Sequence, residues 1–165
     1  SSGRHETVAA HSWRLGMMAL LLRDELEDVD MDKVLRMCLI HDFGEAVTGD
    51  IPAFSKTQAD EETEVRAVAG MLSPLPDPLR GELSALFAEM DALETREARV
   101  YKALDKLEAV IQHNEADIST WEPHEYDLNL TYADDIVAFS PYLRSLREAI
   151  RDDTKQKIAD AQKTE

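Results

Sequence analysis

Apolar residues recur at steps of three and four along most of this chain, and this spacing is the feature that most limits its fold. Val8, Leu15, Ala19 and Leu22, for example, fall on one face of a helix. No stretch alternates between apolar and polar residues, as a half-buried β-strand would. The spacing therefore predicts an all-α fold. Its helices are expected over residues 7–26, 32–47, 61–72, 79–93 and 95–118, with a last one that begins near 140–141.

Length and composition indicate that these helices form one domain. The chain has 165 residues, of which 44% are hydrophobic, and this suffices for a sizeable core. We therefore predict a single-domain helical bundle over residues 1–165, in which 119–130 form a loop and a charged tail follows Arg151. Trp13 and most of the methionines are expected to pack in the core. The abrupt start at Ser1 raises the expectation that native residues precede it.

Net charge and cysteine content limit the classes of partner that the protein can bind and the cellular compartment in which we expect it. The formal net charge is −16 at pH 7, whereas binding to nucleic-acid polymers or anionic membranes needs a basic face. The longest uninterrupted apolar run, Met17 to Leu22, is far shorter than the roughly 20 residues of a membrane span. Cys38 is the single cysteine, so no intrachain disulfide can form. We therefore expect a cytoplasmic protein.

Four polar residues interrupt the apolar helical patterns. His11 lies on the buried stripe of the first predicted helix, His41 and Asp42 end an apolar run in the second, and Asp105 lies in the fifth. Taken singly, each has an ordinary explanation: a hydrogen-bonded core histidine, or an aspartate paired with Lys106 at the surface. Burying all four without a shared partner would cost several kcal/mol. One metal ion would satisfy all four, because imidazole and carboxylate are preferred metal ligands.

The order of these four residues resembles the H…HD…D signature of the HD-domain metal-dependent phosphohydrolases. Their flanks are similar to those of the YfbR-like subgroup, the HD-domain-containing 5′-deoxynucleotidases that act on deoxyribonucleoside monophosphates. The similarity runs from the first predicted helix to about residue 115. It implies an HD-type helical bundle, a homodimer, and hydrolysis of (deoxy)ribonucleoside 5′-monophosphates to nucleoside and phosphate. The flanks that carry it are ETVAAHS (6–12), HDFGEAVTGDI (41–51) and KALDKLE (102–108).

The resemblance implies a centre with one divalent transition-metal ion. Its ligands would be His11, His41, Asp42 and Asp105, which leaves open positions for water and a phosphate oxygen, as a catalytic site requires. Two imidazoles with two carboxylates suit Mn²⁺, Co²⁺, Fe²⁺ or Zn²⁺. The general order in which divalent metals bind to protein ligands does not tell which of these ions the protein uses in cells.

The resemblance also assigns residues to catalysis and substrate binding. Glu45, one helical turn after His41, matches a family glutamate implicated in catalysis, and we assign it general acid–base work. The alternative is a carboxylate that only supports the ligands. Asp50 matches a family aspartate near the substrate, although it also fits a helix cap. Arg4 and Lys106 are expected to bind phosphate. The Arg-Trp pair with which the family contacts phosphate and sugar would lie upstream of this sequence.

Other functions compete with this one. One alternative is an HD phosphodiesterase that acts on another phosphoester, such as a cyclic nucleotide or guanosine tetraphosphate. The cyclic-nucleotide members of the superfamily with two metals use additional histidines, for which His5, His113 and His124 are poorly spaced. A catalytically inactive module could keep the metal and sense nucleotides, although Glu45 and Asp50 argue against lost catalysis. A metal-free interaction domain is the third alternative, and metal analysis would separate it. A di-iron bundle needs Glu-x-x-His pairs, which this sequence lacks.

Overall fold

The computed structural model describes residues 6–49 and 57–163, and within these ranges it contains α-helices, 3-10 turns and loops but no β-strand. The predicted all-α fold is therefore confirmed. None of these helices is long and apolar enough to cross a membrane. The helices are α1 (Val8–Leu21), α2 (Met31–Ile40), α3 (Glu45–Thr48), α4 (Gln58–Leu72), α5 (Leu79–Ala92), α6 (Arg96–Glu115), α7 (Pro123–Thr131) and α8 (Pro141–Gln162).

Helix α6 forms the centre of the bundle. It packs against α1, α2, α5 and α8, and its inward residues are spaced by three and four. Helices α1 and α2 contribute Leu15, Val34 and Met37 to the same core, each without exposed surface. Polar residues on the inward faces of α1, α2 and α6 are thereby brought together. The buried apolar residues of α6 are Ala98, Val100, Tyr101, Ala103, Leu104, Leu107 and Val110.

Side-chain caps fix where the helices of this core begin. Thr7 caps α1 and Thr95 caps α6, each accepting a hydrogen bond from a backbone N–H three residues further on. Such a cap contributes about 1 kcal/mol to stability. The predicted second helix, 32–47, begins at Asp32, which is a possible cap, but the cap of α2 is Asp30. Asp32 instead lies in the first turn, where a carboxylate still interacts favourably with the helix dipole.

The second predicted helix is interrupted before its predicted end. α2 ends at Ile40, and after a turn the short α3 begins at Glu45. Within that turn the N–H of Phe43 donates to Ile40 O, three residues back rather than four, which tightens the chain. Gly44 lets the turn approach α4, because a Cβ there would lie 3.2 Å from the carbonyl oxygen of Glu64. The prediction of one continuous helix was therefore wrong.

The chain after α6 is more helical than its sequence pattern indicates. We predicted a loop over 119–130, but most of this segment belongs to α7. Pro123 begins α7 instead of breaking it, because the first turn of a helix needs no N–H donor, and Glu125 completes a capping box. α8 likewise continues past Arg151, where we predicted a charged tail. Its buried Thr154 donates a hydrogen bond to α6 and holds this part of the helix against the bundle.

Candidate metal centre

Three elements bring the predicted ligands to one cleft. His11 lies near the start of α1, His41 directly follows α2, and Asp105 lies midway along α6. The backbone N–H of His41 still donates to Met37, so the end of α2 positions this residue. His11, Asp42 and Asp105 line a cleft of about 620 Å³. The side chain of His41 is almost fully buried next to them.

The ligand atoms of these four residues lie close together. His41 Nε2 is 3.1 Å from Asp42 Oδ1 and 3.6 Å from Asp105 Oδ1. His11 Nε2 is 3.2 Å from the same Asp105 oxygen and 3.9 Å from Asp42 Oδ2. Two atoms that each bind one ion at about 2.1 Å lie roughly 3.0–3.4 Å from each other. The observed separations therefore suit a single divalent ion after small side-chain movements.

Hydrogen bonds at the far nitrogens orient both imidazoles toward this centre. His41 Nδ1 lies 3.0 Å from the carbonyl oxygen of Cys38, and His11 Nδ1 lies 2.7 Å from Glu108 Oε2. Because a carbonyl oxygen can only accept, Nδ1 of His41 carries a proton, so a metal can bind this ring only through the Nε2 lone pair. Metal-binding histidines commonly have this arrangement.

His41 Nε2 gives the clearest indication that a cation fits here. This nitrogen is buried and makes no hydrogen bond with any residue in the described part of the chain. Carboxylate oxygens of Asp42 and Asp105 nevertheless lie within 3.6 Å of it. A lone pair is repelled by such oxygens, and a buried polar atom without a partner costs about 1–3 kcal/mol. A divalent cation would accept electron pairs from all three groups, so these residues fit a metal ion.

The acidic residues and His11 change each other's ionisation. Burial raises the pKa of Asp105, but the hydrogen bond from His11 and the charge of Lys102 outweigh burial and hold that pKa well below its usual range. Burial lowers the pKa of His11, but the hydrogen bonds to Asp105 and Glu108 outweigh burial and raise it to about 10. Without a cation, a proton on His11 therefore balances part of the carboxylate charge. A divalent ion would replace that proton.

The other predicted site residues differ in how far the structure accounts for them. Glu45 is the first residue of α3 and lines the cleft, half-buried. Lys106 also lines the cleft, and its Nζ lies 5.4 Å from the ring centre of Tyr132. Asp50 and Arg4 lie outside the described residues.

Two further residues of the cleft were not predicted from the sequence. Lys102 lines it, and its Nζ donates to Asp105 Oδ2 at 2.9 Å. Glu108 is fully buried and is the partner of His11 Nδ1. Each lies three residues from Asp105, one turn away on α6. Glu108 also interrupts the buried apolar face of that helix, so the pattern that pointed to Asp105 could have pointed to Glu108 as well.

Comparisons with known proteins identify the family to which this chain is similar. A family model described as the HD domain matches residues 1–142. The chain is 32% identical to the human 5′-deoxynucleotidase HDDC2 over 114 residues, which are 68% of this chain and 55% of the human protein. It is 35% identical over 112 residues to the Danio rerio protein of the same name, again covering 55% of that relative. The chain thus spans about half the length of the curated relatives that it matches.

Two solved structures share the helical arrangement. One is a protein of Magnetospirillum magnetotacticum MS-1 described as a predicted metal-dependent phosphohydrolase. It matches with a TM-score of 0.78 and 35% identity, over 94% of this chain and 81% of the other. A conserved hypothetical protein of Pyrococcus furiosus matches with a TM-score of 0.72 and 30% identity, over 92% of this chain and 86% of the other.

Proposed function

This chain belongs to the HD-domain family, and from that premise we propose that it is a metal-dependent phosphomonoesterase. Its proposed reaction is the hydrolysis of (deoxy)ribonucleoside 5′-monophosphates to nucleoside and phosphate. The observation that carries the proposal is His41 Nε2, which faces Asp42 and Asp105 and has no hydrogen-bond partner among residues 6–49 and 57–163. The relatives that are named 5′-deoxynucleotidases support the choice of substrate class.

In this proposal one divalent transition-metal ion is held by His11, His41, Asp42 and Asp105. Mn²⁺, Co²⁺, Fe²⁺ and Zn²⁺ all accept mixed imidazole and carboxylate ligands. When bound, the ion would act as a Lewis acid, which would withdraw negative charge from phosphate oxygens and lower the pKa of water toward neutral pH. Side chains of this chain perform the remaining steps.

Lys102 and Lys106 bind the phosphate in this proposal. A phosphate monoester carries about −1.5 to −2 charges at pH 7, and the cleft would repel it without cations, since most of its charged residues are acidic. Both lysines line the cleft. Arg4 is proposed as a third cation because of the family resemblance. The carboxylate side chains that line the cleft are Glu6, Asp42, Glu45, Asp105 and Glu108.

Glu45 is the proposed general acid–base residue. It lines the same cleft as Asp42 and Asp105. A carboxylate there can take a proton from the attacking water or return one to the leaving 5′ oxygen, and such transfer contributes ~10²–10⁴-fold to a rate. Asp50 is proposed as a second acid–base residue on the ground of resemblance alone.

A phosphate-release screen tests the proposed function. Deoxy- and ribonucleoside 5′-monophosphates would be assayed separately with each of the four metal ions. We expect phosphate release from at least one 5′-monophosphate and its loss on addition of a chelator. A cyclic nucleotide serves as the control, because a phosphodiesterase would cleave it. Nucleotide binding without phosphate release would contradict the proposal and favour a sensor module.

The proposal includes a cytoplasmic location and a small-molecule partner. The location is proposed because Cys38 is the single cysteine, so the chain cannot form an intrachain disulfide of the kind common in secreted proteins. The net charge of −16 disfavours a nucleic-acid polymer or an anionic membrane as the partner.

We also propose a homodimer that forms through an exposed apolar surface, the α1 face. Its residues on α1 are Trp13, Met17, Leu20 and Leu21, whose exposed fractions are 67, 36, 47 and 74%. Leu39 of α2 is 45% exposed and adjoins them, since its Cδ2 would lie 3.3 Å from a Cβ on Gly16. The expectation that Trp13 packs in the core was therefore wrong. Such a contiguous apolar patch is typical of an interaction surface.

Charge favours a second copy of the chain as the occupant of the α1 face. The exposed residues of α1 include no acidic group, and its Arg14, 34% exposed, is paired with Glu108 and Glu115. The chain as a whole nevertheless carries a net charge of −16. Two copies of so acidic a chain repel each other least where the contacting surfaces carry no acidic groups. A basic partner would instead be attracted to the acidic surfaces. Trp13, Met17 and Leu20 follow the i, i+4, i+7 spacing with which two helices pack, so a two-fold axis could place α1 against its copy.

A further inference from the structure

Glu108 occupies a position where an unpaired carboxylate would be strongly unfavourable. It has no exposed surface and lies on α6, one turn after Asp105. Its Oε2 is 2.7 Å from His11 Nδ1, and its Oε1 is 2.5 Å from Arg14 Nε. Both partners come from α1, where positions 11 and 14 are neighbours on one face. The carboxylate therefore joins α6 to α1 at the residue that is proposed to bind the metal.

Glu108 and His11 form a hydrogen bond, and a second carboxylate lies near this contact. Glu6 Oε2 lies 3.7 Å from His11 Nδ1, so Glu6, His11 and Glu108 together have the composition of a cation site. The 2.7 Å between His11 Nδ1 and Glu108 Oε2 is an ordinary hydrogen-bond length. The guanidinium of Arg14 already supplies a cation to the other oxygen.

We propose that Glu108 is a positioning residue for the metal centre, acting through His11. By accepting from Nδ1–H it keeps the proton on the far nitrogen, so that the Nε2 lone pair of the metal-bound ring faces Asp42 and Asp105. A carboxylate acceptor also makes the imidazole a stronger ligand. Arg14 holds the carboxylate in place and in turn pairs with Glu115 at 2.6 Å near the surface. This inference rests on the proposed metal site, but it requires no particular substrate.

His41 provides an internal comparison, because a different acceptor sets its orientation. The carbonyl oxygen of Cys38 accepts from His41 Nδ1, and no side-chain substitution at residue 108 removes that acceptor. A change at Glu108 should therefore alter the ring of His11 and leave the tautomer of His41 unchanged. A general loss of structure would affect both rings.

Metal titration of Glu108→Gln tests the proposal without an activity assay. Glutamine keeps the shape but removes the charge and presents an N–H group to either His11 or Arg14. We expect the dissociation constant for Zn²⁺, measured by competition with a chromophoric chelator, to rise by ~10–100-fold. The matched control is Glu115→Gln, which changes the exposed partner of Arg14, and its dissociation constant should stay within about twofold of the wild-type value.

Long-range ¹⁵N NMR of the Zn²⁺-loaded protein supplies the readout that a purely structural role would not change. In Glu108→Gln the His11 nitrogens should shift, while those of His41 keep the Nδ1–H pattern. Wild-type affinity together with unchanged His11 resonances would overturn the proposal, as would equal shifts at both rings. A wild-type chain that binds no metal would overturn the metal site and this inference with it. A wild-type chain that binds metal but releases no phosphate would overturn only the proposed function.

Discussion

Asp42 is the residue at which metal binding is most directly tested. Its Oδ1 lies 3.1 Å from His41 Nε2, and its Oδ2 lies 3.9 Å from His11 Nε2. Asp42→Ala would remove a charged ligand, so we expect metal content and phosphate release to fall together. The rise in unfolding temperature that added metal gives to the wild type should also disappear. Elemental analysis, a phosphate assay and thermal unfolding measure the three effects. A variant that keeps the metal would remove Asp42 from the ligand set.

Glu45 should separate chemistry from metal binding. It lines the cleft but is not in the proposed ligand set, so Glu45→Ala should keep the metal and release phosphate ~10²–10⁴-fold more slowly. Nucleotide affinity should change little, because the lost interaction forms mainly in the transition state. Glu61→Ala, on exposed α4, is the control and should behave as wild type. Near-native turnover would transfer the acid–base role to Asp50, and loss of metal would make Glu45 a ligand.

Site residues were predictable where a polar side chain breaks an apolar pattern. His11 and Asp105 each do so, and His41 with Asp42 ends an apolar run. The fold places His11, Asp42 and Asp105 in one cleft, with His41 buried beside them. Lys102 and Glu108 were missed because charged residues on a helix usually face solvent. Only the packing of α1 against α6 makes Glu108 a buried partner of His11.

At the scale of helices, the spacing of apolar residues predicted most elements because it reflects which face is buried. It could not predict the end of α2 at Ile40. The turn that follows this end packs closely against α4 at Gly44, and the spacing of apolar residues does not report such a contact between helices. α7 was missed for a local reason, since Pro123 has opposite effects at the start and in the middle of a helix. Periodicity therefore reports burial, while helix ends depend on caps and neighbours.

Glu89 connects three helices and gives a test at this scale. Near the end of α5, it accepts from Thr95, the cap of α6, at 2.5 Å and from Lys33 of α2 at 3.1 Å. The hydrogen bond from Thr95 is the main cause that lowers the pKa of Glu89 below its usual 4.5. We expect Glu89→Gln to lower the free energy of unfolding by about 1.5 kcal/mol at pH 7, the lower end of the range for hydrogen bonds to charged groups, because the Glu89 side chain is 21% exposed.

The effect of Glu89 should depend on pH in a definite direction. Because the pKa is lower in the folded state, the stabilisation is fully present above the unfolded-state pKa of 4.5 and is lost as the pH falls through the folded-state value. Urea unfolding at pH 7 and pH 3.5 should show the difference between wild type and variant shrinking in acid. Glu82→Gln, exposed on the same helix, should stay within ~0.5 kcal/mol of wild type. A difference that did not vary with pH would contradict the assignment.

At the scale of the whole molecule, the all-α fold could be predicted from sequence, but the α1 face could not. Trp13 and Met17 continue a mostly apolar helix, and periodicity alone places such residues in a core. In the structure Trp13 is 67% exposed. A monomer leaves this helix apolar on two sides, one against α2 and α6 and one open, and the second side is where we expect the partner subunit.

Charges placed on the α1 face should separate the subunits. We expect the wild-type chain to sediment at twice its 18.6-kDa mass and Leu20→Glu/Leu21→Glu to sediment as a monomer, since two carboxylates would enter an apolar contact from each side. A standard interface buries about 800 Å² per partner, so the α1 face would form its apolar centre, with a polar rim around it. Val65→Glu, at a 62% exposed residue of α4, is the matched control and should remain a dimer.

Trp13 provides an independent measurement of the same association. The other tryptophan, Trp121, is only 7% exposed, so a concentration-dependent blue shift and reduced acrylamide quenching report on Trp13. Both changes should follow the sedimentation data in wild type and be absent from Leu20→Glu/Leu21→Glu. A wild-type chain that stays monomeric at the highest concentration would contradict the homodimer and leave the α1 face to another partner. A dimer that survives the double substitution would place the interface elsewhere on the molecule.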